Sequence, residues 1–222
     1  MEGVAERLLD VAVRAVEERG PGALQARALT AEVGVSTQAV YTLFGGMPGL
    51  FVAVADEGFL RMADHVRGAP TTADAVADHL LKGLAYRTWA VEHPHLYRLM
   101  FGVAGADTQP RRGRAAVASA ARVPAPDAAL EVLVASVQAM IDAGRIRAAE
   151  AAVVARQFLA ATHGHVMLRI AGGPTLGDVD DIADLADLAD LGSTLLLGLG
   201  DEPSAVQRSM QLAVAAISAV HG

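Results

Sequence analysis

The stretch from Gln25 to Phe51, reading Q-A-R-A-L-T-A-E-V-G-V-S-T-Q-A-V-Y-T-L-F-G-G-M-P-G-L-F, limits the fold more than any other part of the chain. Arg27 to Val33 puts Leu29 and Val33 on one face of a short helix, and Gly34 stops it because so tight a turn wants positive φ. Val35 fits the angle between two helices, and Ser36 is a favourable N-cap for the second. In that second helix Val40, Leu43 and Phe44 recur at three and four residues and face inward. Thr37, Gln38, Tyr41 and Thr42 are left on the outside. Two short helices meeting at a glycine have the geometry of a helix-turn-helix. Such an outer face offers hydroxyl and amide groups to phosphates and base edges, and glutamine can pair bidentately with adenine. A generic two-helix corner would turn polar residues outward as well.

The flanks extend this unit. Val4, Leu8, Val11 or Ala12, and Ala15 or Val16 recur with helical period opposite Glu6, Asp10 and Arg14, so an amphipathic first helix runs up to Gly20-Pro21 and completes a three-helix domain. Gly45-Gly46-Met47-Pro48 is a turn, with Pro48 suited to the first turn of a longer helix whose apolar face is Leu50, Phe51, Val54, Ala55, Phe59, Met62 and Val66. Gly68-Ala69-Pro70 ends it. The spacing therefore predicts an all-α chain: an N-terminal helix-turn-helix domain over 1–67 and a larger C-terminal helical bundle over 71–222.

In the second region Thr71 and Asp74 suggest a capping box for a helix bearing Val76, Leu80 and Leu84 and reaching Trp89. It should end at His93, because Pro94 disfavours helical geometry just before it and starts a short helix of its own. Residues 102–127, with three prolines and the cluster Arg111-Arg112-x-Arg114, read as a loop, a solvated connector more readily than a DNA contact. Helical periodicity resumes over Asp127–Ala143, Glu150–Ile170, Asp178–Leu199 and Ser204–Val220. Within the third of these, I-A-D-L-A-D-L-A-D-L repeats every three residues. Ile182, Leu185, Ala189, Gly192, Leu196 and Leu199 are expected on one face, with Asp184, Asp187 and Asp190 on a solvated surface.

Arg27-x-Leu29-Thr30-x-x-Val33-Gly34-Val35-Ser36-Thr37, followed by Val40-Tyr41-Thr42-x-Phe44 and Leu50-Phe51, resembles the N-terminal signature of the TetR/AcrR family. The resemblance covers roughly the first third of the chain. It implies an all-helical, dimeric transcriptional regulator, a repressor released from its operator by a small-molecule effector. Arg27, Ser36, Thr37, Gln38, Tyr41 and Thr42 are then the expected contacts to double-stranded DNA. Where that family usually has a lysine starting its fourth helix, this chain has Met47. The run from Tyr86 to Gly102 is similar to a subgroup whose C-terminal region is known as a WHG domain, with Thr162-His163-Gly164 in place of Trp-His-Gly. A homodimer would read a palindromic operator, its half-sites about 34 to 36 Å apart or a multiple of that. The expected interface is formed by the helices around 150–170 and 182–199. A second reading, a helical ligand-binding or interaction protein that kept this fold but lost strong DNA binding, rests on Met47 and an acidic N-terminal segment.

Composition sharpens the charge argument. The net charge is −7, and within the first fifty residues Arg7, Arg14, Arg19 and Arg27 are outnumbered by Glu2, Glu6, Asp10, Glu17, Glu18 and Glu32. DNA affinity should rest on few ionic contacts and depend weakly on salt. The chain has no cysteine, which excludes disulfides and thiol chemistry. It has no G-x-S-x-G and no phosphate-binding glycine loop, so no enzyme is expected and no cofactor. No apolar run is long enough to span a bilayer and the start lacks a basic n-region, so a cytoplasmic protein without membrane association is expected.

Candidate ligand contacts are the clustered aromatics and methionines Tyr86, Trp89, Tyr97, Phe101 and Phe158 with Met100, Met140 and Met167, and the polar groups Arg87, His93, Thr162 and His163. Such residues also suit the filling of a core; the competing view is an apolar cavity between helices with a few orienting groups. The pairs His93/His95 and His163/His165 are not expected to bind metal, since residues two apart on a helix do not share a face.

Overall fold

The computed structural model describes residues 2–102, 125–172 and 181–221. The expected loop with Arg111, Arg112 and Arg114 lies outside the described residues, as does the start expected at Asp178. Ten α-helices are described: α1 (Glu2–Arg19), α2 (Ala26–Val33), α3 (Gln38–Phe44), α4 (Met47–Arg67), α5 (Ala75–Glu92), α6 (Pro94–Met100), α7 (Ala125–Asp142), α8 (Ala151–Ala171), α9 (Asp181–Gly198) and α10 (Pro203–His221). No strand occurs among the described residues. The chain forms two compact units, residues 1–62 with 92–128, and residues 63–91 with 129–222. They interleave along the chain: α6, beyond Gly68-Ala69-Pro70, packs with the N-terminal helices, and the last turn of α4 belongs to the second unit.

In the first unit α1 buries Leu8, Val11, Ala12, Ala15 and Val16 while Glu6, Asp10 and Arg14 face solvent. Gly34 closes α2 at φ 76°, its N–H directed at the Thr30 and Ala31 carbonyls. The Val35 N–H then reaches the Thr30 carbonyl at 2.9 Å, and the Thr30 hydroxyl donates to Ala26 O at 2.7 Å. Ser36 does not cap α3 through its side chain as expected. The helix begins one residue later, at Gln38 behind Thr37, and Ser36 contributes its carbonyl to the Ala39 N–H at 3.0 Å. A 3-10 turn, Pro21–Ala23, joins α1 to α2 where the sequence predicts only a break. In the same unit α6 lies close against α4: a Cβ at Gly58 would come within 2.7 Å of Met100 Sδ and 3.1 Å of Leu96 Cγ.

The second unit is built on α5 and the helices from α7 onward. The N-cap of α5 is Asp74, whose Oδ1 accepts the Val76 and Ala77 N–H groups at 2.9 and 2.8 Å. Thr72, not Thr71, is its companion, linking the Asp74 N–H to the Asp78 carboxylate. Arg145 ties this cap to α10 through Asp74, Asp201 and Ser209, at 2.7 to 3.0 Å. The core joins Val76, Val137, Met140, Val154, Phe158 and Leu196. The three-residue repeat of α9 does not keep one face inward. Each step of three turns the pattern by about 60° on a helix of ~3.6 residues per turn, so Leu196 and Leu199 are buried while Ile182 is 81% exposed. The same drift carries Asp184 into the interior, 3% exposed, and leaves Asp187 and Asp190 in solvent.

Candidate functional site

The buried side of α3 is Val40, with Leu43 and Phe44 half-buried beside it. That anchorage turns Thr37, Gln38, Tyr41 and Thr42 outward; all four are exposed, Tyr41 to 60%. Positions one and four apart on a helix of this length form one patch, so the four side chains present a continuous uncharged polar surface. The Thr42 hydroxyl donates to Gln38 O at 3.1 Å, which leaves its oxygen lone pairs outward. Ser36 and Arg27 are exposed too, and Arg27 has no ion pair among the described residues. Two other arginines of this unit are engaged in ion pairs: Arg14 with Glu32 at 2.6 Å, and Arg61 with Glu57 at 2.8 Å. Met47 is half-buried at the first position of α4.

In the second unit a cavity of about 240 Å³ opens between α5, α8, α9 and α10. Its walls are leucine, alanine, glycine and Phe158, with Met210, Val214 and Ile217 from α10. Among the described residues that line it, two side chains, His79 and Thr162, carry a nitrogen or oxygen. Of the expected ligand residues Phe158 and Thr162 line it. Met140 is fully buried in the adjoining core, and Met167 is half-buried on α8. Tyr86 and Trp89 are buried on α5, the Tyr86 hydroxyl 3.4 Å from His163 Nδ1. Burial alone lowers the His163 pKa.

His93, Tyr97, Met100 and Phe101 belong to the first unit. There His93 Nδ1 lies 3.0 Å from Glu17, and Phe101 packs against Phe59 and Tyr97 at centroid distances of 5.3 and 4.8 Å. Arg87 is not a free polar group. Its guanidinium is held by Asp184 at 2.6 Å and Asp181 at 3.0 Å. His165 Nε2 approaches the same Asp184 to 3.0 Å, without the alignment of a hydrogen bond. His163 and His165 thus meet different partners.

His79 is the polar residue that sequence reading passed over. It is 5% exposed, packs edge-on to Phe158 at 4.4 Å between centroids, and places Nδ1 2.6 Å from Ser136 Oγ. Desolvation, aided by the charge of Lys82, pulls its pKa down to about 4. A signal existed: His79 stands three residues after Val76, on the apolar face of α5.

An all-helical chain with a helix-turn-helix at its N-terminus, an uncharged polar face on the second of those helices, and an apolar cavity in a separate helical unit has the parts of a DNA-binding regulator. Residues 8–54 match the model of bacterial regulatory proteins of the tetR family, and residues 81–190 that of the tetracyclin repressor-like C-terminal domain. No curated protein matches the chain by sequence.

Solved structures share its fold. A protein of unknown function from Rhodococcus sp. RHA1 is 25% identical with a TM-score of 0.67, covering 89% of this chain and 96% of its own. The TetR family transcriptional regulator PfmR from Thermus thermophilus is 18% identical with a TM-score of 0.56, covering 88% and 100%. RolR in complex with its ligand resorcinol is 14% identical with a TM-score of 0.66, covering 94% and 93%. The chain belongs to the TetR family of DNA-binding transcriptional regulators.

Proposed function

We propose that this regulator is a homodimeric repressor released from a palindromic operator by a small, largely apolar effector. Residues 1–67 read DNA, and residues 71–222 bind the effector and the second protomer. The observation that carries this reading is the exposed Thr37-Gln38-Tyr41-Thr42 patch, backed by buried Val40, on a helix short enough to enter a major groove. Arg27 and Ser36 flank it as backbone contacts.

The effector reading is supported by the α5–α10 cavity, whose size and apolar lining suit a small organic molecule. A resorcinol complex of RolR, a protein of the same fold, is consistent with such a use. Exposed Val153 and Leu168 on α8, with Ile182, Leu185 and Leu197 on α9, support an interface there with a second copy. Release follows from linkage: an effector that binds the DNA-incompetent state better draws the population to it, and needs a differential affinity of a few kcal/mol to act as a switch. Helix α4 runs unbroken from Met47 to Arg67 and is the proposed lever.

Operator selection from random duplex DNA, followed by gel shift with the selected site, tests the reading. Tyr41→Ala and Thr37→Ala should each weaken operator binding by about ten-fold, a loss of ~1–3 kcal/mol per contact, with the melting temperature changed little. A protein that selects no sequence at low salt, or variants that unfold while wild type binds, would refute it.

A further inference from the structure

The cavity of the second unit has a polarity that specifies more than size. Ser136 Oγ lies 3.2 Å from Leu133 O and 2.6 Å from His79 Nδ1. With the Ser136 proton given to the Leu133 carbonyl, its lone pair accepts from His79, and the neutral imidazole carries its proton on Nδ1. Nε2 is then a bare acceptor, without a hydrogen-bond partner among the described residues, on a ring that lines the cavity and is 95% buried. Thr162, the other polar lining group, stands one helical turn beyond Phe158, on the same face of α8 as the ring that His79 packs against.

Among the described residues no cation lines the space: Lys82 is not among its walls, and Arg87 is bound to Asp184 and Asp181. A carboxylate placed there would be stripped of water and would face a lone pair. We infer that the cavity takes a neutral, largely hydrocarbon molecule bearing one hydroxyl group, which donates to His79 Nε2 and can accept from the Thr162 hydroxyl. A dry cavity of about 150 Å³ holds benzene, so about 240 Å³ suits a two-ring compound. This inference rests on reading the cavity as the effector site and adds the class of effector.

Equilibrium dialysis of the full chain at pH 7.5 with 2-naphthol, naphthalene and 2-naphthoate tests it. Wild type is expected to bind 2-naphthol at least ten-fold more tightly than 2-naphthoate. In His79→Asn, whose shorter amide can still meet Ser136 but offers nothing at the Nε2 position, the preference for 2-naphthol over naphthalene should fall about ten-fold. Ala189→Phe, which fills the cavity, should abolish binding of every probe. Tighter binding of the carboxylate, or a preference unchanged in His79→Asn, overturns the hydroxyl assignment while Ala189→Phe-sensitive binding keeps the cavity reading. If no probe binds in a manner sensitive to Ala189→Phe, both fail.

Discussion

His79 connects burial, hydrogen bonding and pH in one side chain. Its folded-state pKa of about 4 lies below the ordinary 6.5, chiefly because burial disfavours the charged ring. As pH falls below 6.5 the unfolded chain takes up a proton that the folded chain refuses, so stability is lost through the window from about 6.5 to 4. The full loss is up to about 3 kcal/mol at ~1.4 kcal/mol per pH unit. Urea denaturation at pH 7 and pH 4.5 should show most of this loss in wild type and a smaller one in His79→Asn. Asp74 does not confuse the window. Burial works to raise its pKa, but the Ala77 N–H, Ser209 and Arg145 hold it below 3.8, so its contribution goes only at more acid pH. Equal losses in the two proteins would mean that His79 is hydrated in solution. Asp184 shows why such pairings escape a reading of the chain alone. It differs from Asp187 and Asp190 in nothing local; what meets it in the interior is Arg87, 97 residues earlier, together with His165 and Arg169 on α8.

At the scale of elements, most helix limits were legible because their causes are local: Gly34 at positive φ after α2, Pro94 at the start of α6, Asp74 before α5. The corner from α3 to α4 is a further local device. Gly45 and Gly46 turn the chain at φ 72° and 102°, and the Gly46 N–H bonds to Val40 O at 3.3 Å. Three residues on, Gly49 is pressed against the end of α3, where an added Cβ would fall on the Phe44 carbonyl oxygen. Backbone cannot yield as a flexible side-chain tip does. Gly49→Ala is therefore expected to destabilise the protein by at least ~1–3 kcal/mol, the cost of overpacking, although alanine favours a helix by about 1 kcal/mol elsewhere. Thermal melts together with operator gel shifts check this, and an unchanged melting temperature would show that the corner has room. Other features at this scale could not be read locally. That α6 would pack with the N-terminal helices depends on Gly58, which looks like an ordinary helix residue until α6 is laid against it.

For the whole molecule, the proposed two-fold dimer and the proposed DNA face make a joint quantitative demand. Charge offers little to such a complex: the chain carries −7, Arg14 is paired with Glu32, and Arg27 is an exposed cation in the first turn of α2. Every phosphate neutralised adds about 0.9 to the slope of log K against log salt. A shallow slope is expected for wild type, and Arg27→Ala should reduce it by about two, one contact from each of two protomers. A reduction of about one would mean that a single copy binds, and no change would remove Arg27 from the interface. The exposed leucines of α8 and α9 give the complementary test. Leu168→Glu with Leu197→Glu places charge where a second copy is expected to sit, at positions 55% and 43% exposed and so dispensable to the fold of one chain. Sedimentation should then show a monomer with helical content retained. Its operator affinity should fall ~100-fold or more, because the second half-site is no longer delivered by the first. With one copy bound, the slope change caused by Arg27→Ala should shrink from about two to about one, which ties the oligomeric state to the residue that reports it.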